Sequence, residues 1–162
     1  MKQRVREATF NLLGPDPKGK CVIDLFAGTG ALAIEAISRG AAEAIMIEKH
    51  FPTAKLIEDT IRQLQIKAPC QVLGGDAFYW GSRLEITSTL PWLLFCSPPY
   101  ALYQSHQQEM LALLTCLLEK APTESVVVVE ADQEFDPQLL PAAEDWRVRD
   151  YPPARICLLR KE

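Results

Sequence analysis

CVIDLFAGTGALAIEAISRG, residues 21–40, is the stretch from which the rest of the chain can be read. CVIDLF is a short apolar run, the pattern of a buried strand. AGTG is a tight turn, in which Gly28 and Gly30 let the backbone bend sharply and let a ligand approach the main chain. ALAIEAISRG predicts a helix closed by Gly40. Its N-terminal amides, near Ala31, point into the crevice above the strand.

Working outward, the same alternation repeats. Residues 3–13 place Val5, Ala8, Thr9, Leu12 and Leu13 at helical spacing, ended by Pro15 and Pro17. AIMIE (44–48) is a second buried strand, followed by a helix from Pro52, a position that proline tolerates, to about Ile66. CQVLGGD (70–76) is a third strand, and residues 77–86 hold about one helical turn. WLLFC (92–96) is a fourth, stopped by a proline pair, with a helix from Gln104 to Lys120 after it. SVVVVEAD (125–132) is apolar and β-branched on both faces, which marks a central strand. WRVRDY and ARICLLRK form a closing hairpin across Pro152 and Pro153. The expectation is therefore an α/β fold: a doubly wound, mostly parallel seven-stranded sheet with a C-terminal antiparallel hairpin, in a single domain over 1–162. Ligands on such sheets bind outside the carboxyl ends of the strands, where the strand order reverses.

Composition bounds the rest. At 162 residues with 48% hydrophobic and 23% charged residues, the chain suits one folded domain and not a disordered one. No apolar run reaches the roughly 18 residues of a membrane span, and the N-terminus lacks the apolar core of a secretory signal. The cysteines (Cys21, Cys70, Cys96, Cys116, Cys157) are odd in number and scattered. They imply core positions in a reducing compartment, the cytoplasm, with neither a disulfide framework nor a metal site. Net charge is −4, but residues 1–20 and 147–162 each hold five basic residues against two acidic ones. Two basic ends around an acidic body can grip a polyanion if folding brings them to one face.

Chemistry-bearing residues collect at the predicted strand ends. Asp24 stands four residues before Gly28. Gly28, Gly30 and Ala33 would also fit a dinucleotide fingerprint. A carboxylate so close repels a pyrophosphate, however, and pairs instead with an ammonium group, such as that of S-adenosylmethionine. The plain alternative is a glycine turn whose aspartate caps backbone amides. Glu48, after the second strand, can accept both hydroxyls of a ribose. Asp76 can accept from an adenine amine while the Ala77 amide donates to a ring nitrogen. At Ser97-Pro98-Pro99-Tyr100 two prolines remove two donors and fix the backbone, and an aromatic follows that can stack on a base. His50 and His106 sit at helix starts and face solvent on this reading.

Together these stretches resemble the class I S-adenosylmethionine-dependent methyltransferases, and more closely the RsmD-type family, which methylates the exocyclic N2 amine of a guanine in bacterial 16S ribosomal RNA. RVREATFNLL (4–13), DLFAGTGAL (24–32), Glu35-Ala36, SRGA (38–41) and SPPY (97–100) carry the resemblance. It implies a Rossmann-like fold and S-adenosyl-L-methionine as cofactor. Asp24, Phe26, Gly28 and Gly30 would hold the methionine part, Glu48 the ribose, and Asp76 with Ala77 the adenine. Ser97, Pro98, Pro99 and Tyr100 would form the catalytic loop. Arg4 and Arg6, with Tyr100, would meet substrate or close over the cofactor. The partner would be small-subunit rRNA or its assembled particle, acted on by a monomer without metal or membrane.

Two departures stand out. The family's loop begins with Asp or Asn, and here it begins with Ser97, whose hydroxyl is shorter and uncharged. The family also carries further residues, including a basic hairpin, ahead of the helix over 3–13, whereas this sequence starts at Met1. Slower chemistry, or a homologue that only binds cofactor, is one consequence. An amine methyltransferase on a DNA base, a protein or a small molecule is another reading. A dehydrogenase is disfavoured by Asp24 and by the Pro-Pro-Tyr loop.

Overall fold

The apolar runs pair through their backbones into one sheet, because both of their faces must leave water. The computed structural model describes residues 1–162. Its strands are β1 (Cys21–Asp24), β2 (Glu43–Glu48), β3 (Cys70–Gly74), β4 (Trp92–Cys96), β5 (Val126–Asp132), β6 (Arg147–Tyr151) and β7 (Ala154–Arg160). They lie in the order β3-β2-β1-β4-β5-β7-β6. The first five are parallel, and β7 runs antiparallel between β5 and β6. The expected doubly wound sheet with a closing hairpin is thus present, with β6 at the edge and the last strand inserted beside β5.

Strand alternation sorts the core into two layers. Val22, Met46, Phe95 and Val128 face α1 (Gln3–Leu13), α2 (Ala31–Ser38) and α3 (Phe51–Gln63). Ile23, Ile47, Leu94 and Val129 face α4 (Ala77–Arg83), α5 (Leu102–Ser105) and α6 (Gln107–Lys120). In α1 the buried residues are Val5, Thr9, Phe10 and Leu13, and the Phe10 ring lies 6.0 Å from that of Phe95. The N-terminal helix is therefore part of the core, over the strands that carry the glycine loop.

Three local expectations change. Residues 77–83 make two helical turns instead of one, because Asp76 caps them, accepting from the Phe78 and Tyr79 amides. The helix expected over 104–120 is broken at His106 (φ −135°, ψ 34°) into α5 and α6. There the imidazole stacks on Phe78 and its Nδ1 meets Ser105 Oγ at 2.7 Å, so side-chain contacts replace a continuous ladder. The helix from Pro52 stops at Gln63, with Gln65 left-handed just beyond it (φ 53°). Cys21, Cys96 and Cys157 are buried, whereas Cys70 and Cys116 are half-exposed, and all five are free thiols. No helix is long and apolar enough to cross a membrane.

Candidate active site

Chain order reverses between β1 and β4: β2 and β3 extend one way from β1, and β5 lies on the other side of β4. At such a point the connections diverge to opposite faces and leave a crevice at the carboxyl ends. A cleft of about 950 Å³ opens there. The loops after β1, β2, β3 and β4 line it, and the start of α1 and Glu130 of β5 complete it. The volume lies at the upper end of the range for small-molecule sites.

Most residues singled out in the sequence meet in this cleft: Arg6, Phe26, Gly28, Glu48, Asp76, Ala77, and Ser97 through Tyr100. Asp24, Gly30 and Arg4 do not line it, and each departure has a cause. Gly30 is the left-handed cap of α2 (φ 80°), and a Cβ there would stand 3.0 Å from Ile57. Its part is to turn the chain. Arg4 is exposed on α1 and points away from the cleft, because Val5 and Arg6 take the inward positions. Asp24 lies beneath the cleft, fully buried, on the face of β1 that Val22 uses.

Asp24 is the electrostatic anomaly of the molecule. Neither carboxylate oxygen has a hydrogen-bond partner. Burial pushes its carboxyl from the ordinary 3.8 up to about 7. The Phe26 amide pulls the other way without reaching hydrogen-bond geometry. A buried, unpaired carboxyl at a strand tip is costly unless something bound nearby satisfies it. The plain alternative, an aspartate capping backbone amides, is not met, since neither oxygen accepts one.

Glu48, by contrast, is held firmly. Oε2 accepts from the Gly28 amide at 2.7 Å and Oε1 from the His50 amide at 3.1 Å. This clamps the glycine loop to the end of β2 and leaves further lone pairs on the carboxylate for a diol. At Asp76, Oδ1 takes the two amides of the α4 cap and Oδ2 has no protein partner. The Ala77 amide belongs to the first turn of α4 and has no acceptor there.

The loop after β4 is rigid for two reasons. Pro98 and Pro99 fix their own backbone. The Pro99 and Tyr100 carbonyls accept the Leu102 and Tyr103 amides at 3.0 and 3.1 Å, which starts α5. Side chains tie the same loop to β5. Ser97 Oγ donates to Glu130 Oε2, and the Tyr100 hydroxyl donates to Glu130 Oε1 at 2.8 Å. The Tyr103 hydroxyl donates to the Glu130 carbonyl at 2.7 Å. Burial, with Glu130 adjacent, raises the Tyr100 phenol above its ordinary range, so it remains a donor.

Sequence reasoning missed Glu130, Phe78 and His106. Glu130 had a signal, an acid set within the apolar run 126–131. Phe78 and His106 had none, because they are brought together only by α4 lying beside the break at His106. Phe26 meets Phe78 edge-on at 6.2 Å, and His106 stacks on Phe78 at 5.8 Å, forming an aromatic wall of the cleft. His106 lines the cleft and does not simply face solvent.

The basic ends do fold together, but mostly away from the cleft. Arg160 bonds Asp16 Oδ2 at 2.9 Å and the Leu12 carbonyl at 3.1 Å. Arg160 pairs in register with Val126, the first residue of β5, which puts this contact at the amino edge of the parallel strands. Lys161 is spent on the Leu118 and Ala121 carbonyls, and Arg155 on Asp150 and the Gln133 and Phe135 carbonyls. The cationic side chains at the cleft are Lys2, Arg6 and Lys49, and the Met1 amino group lies there too.

Strand order, an antiparallel β7 beside β5 and a glycine loop after β1 place the protein among the class I methyltransferases. The chain belongs to the family described as conserved hypothetical protein 95, whose model it matches over residues 1–160. It is 32% identical over 135 residues to "Putative rRNA methyltransferase YlbH" of Bacillus subtilis, a match covering 82% of this chain and 71% of that one. It is 35% identical over 101 residues to "Ribosomal RNA small subunit methyltransferase D" of Escherichia coli, covering 60% of this chain and 47% of that one. The matched segment therefore spans about half the length of that relative. Among solved structures, "Putative methyltransferase yhhF" of Escherichia coli superposes with a TM-score of 0.81 at 26% identity, over 99% of this chain and 88% of that one.

Proposed function

We propose that the protein methylates the exocyclic N2 amine of a guanine in small-subunit (16S) rRNA, in the cytoplasm, with S-adenosyl-L-methionine as the methyl donor. The observation that carries this is the rigid Ser97-to-Tyr100 loop, which shares one cleft with the clamped Glu48 and the half-satisfied Asp76. Kinship to rRNA methyltransferases supports the choice of substrate.

The residues present fit the donor. Its ribose diol suits the Glu48 carboxylate, its adenine suits Asp76 and the Ala77 amide along the Phe26 and Phe78 rings, and its amino-acid end suits the crevice over Asp24. The orphaned Asp24 carboxyl is the feature that asks for a cationic ligand nearby. Bound there, the donor supplies an electrophilic methyl group on a sulfonium.

The chain's own residues then position the acceptor. A guanine N2 lone pair is delocalised into its ring, so rate must come from orientation and from acceptors that draw on the N–H bonds. The loop supplies these acceptors: Ser97 Oγ, and the Ser97 and Pro98 carbonyls, which accept no backbone amide. Tyr100, tethered by its hydroxyl to Glu130, presents its ring for stacking of a flipped base. Lys2, Arg6 and Lys49 at the rim suit flanking phosphates.

The test is incubation with methyl-labelled donor and either undermethylated small subunits or naked 16S rRNA, followed by nucleoside analysis. Label in N2-methylguanosine is the expected result. Label in another nucleoside, in protein, or nowhere would overturn the proposal.

A further inference from the structure

Ser97 is the weak point of the proposed site, since a lone serine hydroxyl is uncharged and free to rotate. The structure removes both objections. Glu130 stands at the carboxyl end of β5, 4% exposed, and its two oxygens accept the Ser97 and Tyr100 hydroxyls. With the Ser97 proton committed to Glu130, the hydroxyl cannot swing away, and its oxygen is left with lone pairs only. The carboxylate also polarises that oxygen, making it a stronger acceptor. Glu130 itself lines the cleft, and its remaining neighbour there is the Met1 amino group at 4.0 Å.

We propose that Ser97 and Glu130 act as a dyad that accepts a proton of the target amine, Ser97 touching the amine and Glu130 acting through it as a positioning residue. The inference rests on the reading of this cleft as an amine methyltransferase site. The nitrogen lone pair forms the new N–C bond while the C–S bond of the sulfonium donor breaks and leaves its electron pair on sulfur. The nitrogen sheds one proton to Ser97 Oγ, and the Ser97 proton passes to Glu130 Oε2. Glu130 later returns that proton to solvent, which restores the starting state. Tyr100, bonded to the other Glu130 oxygen, keeps the carboxylate in place and is held by it in turn. A side chain from β5 thus supplies at position 97 the charge that the loop lacks.

Two readouts test this, one independent of turnover. The protein loaded with S-adenosylhomocysteine is titrated with guanosine and with inosine, which lacks the 2-amino group. Wild type should prefer guanosine, and Glu130→Gln and Ser97→Ala should each lose the preference while binding S-adenosylhomocysteine within about threefold of wild type. In single-turnover methylation, each variant should lose about 100-fold in rate, the scale of a missing proton acceptor. The two together should lose no more than either alone, with KM for the donor unchanged. Ser97→Asp alone sets two carboxylates against each other and should also be slow. In the Glu130→Gln background the same change restores a single carboxylate and should recover at least about tenfold. Glu130→Gln with wild-type rate and guanosine preference overturns the dyad, as does a Ser97→Asp/Glu130→Gln protein no faster than Glu130→Gln. If wild type methylates no RNA, the proposed function falls, and the guanosine preference and its loss on Glu130→Gln still decide the dyad.

Discussion

Replacing Asp24 with Asn removes a fully buried carboxyl neither of whose oxygens has a hydrogen-bond partner. In the folded protein that group titrates near 7, and in the unfolded chain near its ordinary 3.8. Between those values the unfolded chain has already lost the proton that the folded one keeps, so raising pH favours unfolding. The slope is about 1.4 kcal/mol per pH unit, and the full span is about 4 kcal/mol. Below about pH 4 both states are protonated and the term vanishes, and above about pH 7 it is constant at its full cost. Urea unfolding of wild type and Asp24→Asn from pH 4 to pH 8 isolates it, because every other group is common to both. The stability of the variant relative to wild type should rise with pH through that window and level off above 7. The slope carries the test, since Asn brings its own buried polar atoms and shifts the offset. At pH 8 the rise amounts to roughly 8–16 °C in Tm for a chain of this size. A second reading comes from S-adenosylhomocysteine calorimetry near pH 6 in buffers of different ionisation enthalpy. A cationic ligand over Asp24 should expel its proton, and Asp24→Asn should show no such release. Parallel stability curves for the two proteins would refute the assignment of a raised Asp24.

The other expectations concern separate parts of the molecule. Glu48→Gln keeps the shape but loses the charge that holds Gly28 and faces the cleft, so S-adenosylhomocysteine should bind at least about tenfold more weakly by calorimetry, with little change in Tm. Ser125 Oγ accepts the Trp92 amide at 2.8 Å in the core, and Ser125→Ala leaves that amide unpaired. A loss of about 1–3 kcal/mol in urea unfolding should follow, with the m-value unchanged. Phe10→Ala opens a cavity under β4, and about 3–5 kcal/mol of stability should be lost. Because α1 covers the glycine-loop strands, S-adenosylhomocysteine affinity should fall with it.

What the amino-acid sequence determined by itself was the sheet and most of its rim. Runs such as VVVVEAD and WLLFC are too apolar on both faces to lie anywhere but inside a covered parallel sheet. Gly28, Pro98 and Pro99 act through their own backbones and announce loops wherever they fall. The parallel direction of the strands then puts Glu48, Asp76 and Ser97 at one end without further information. Contacts between distant segments were decided only by the tertiary structure. Asp24 could be seen near the glycines, but its lack of any partner depends on α1 and the neighbouring strands sealing it. The basic ends could be counted, but the antiparallel insertion of β7 sends Arg160 to Asp16, at the amino end of the parallel strands and away from the cleft. The break at His106 goes with the stacking of its ring on Phe78 of α4, on the same wall of the cleft. Glu130 lies 33 residues from Ser97, and only the register of β4 against β5 makes its carboxylate the partner of that hydroxyl. Local rules see a residue and its near neighbours, whereas the charge at this loop is set by which strand lies alongside.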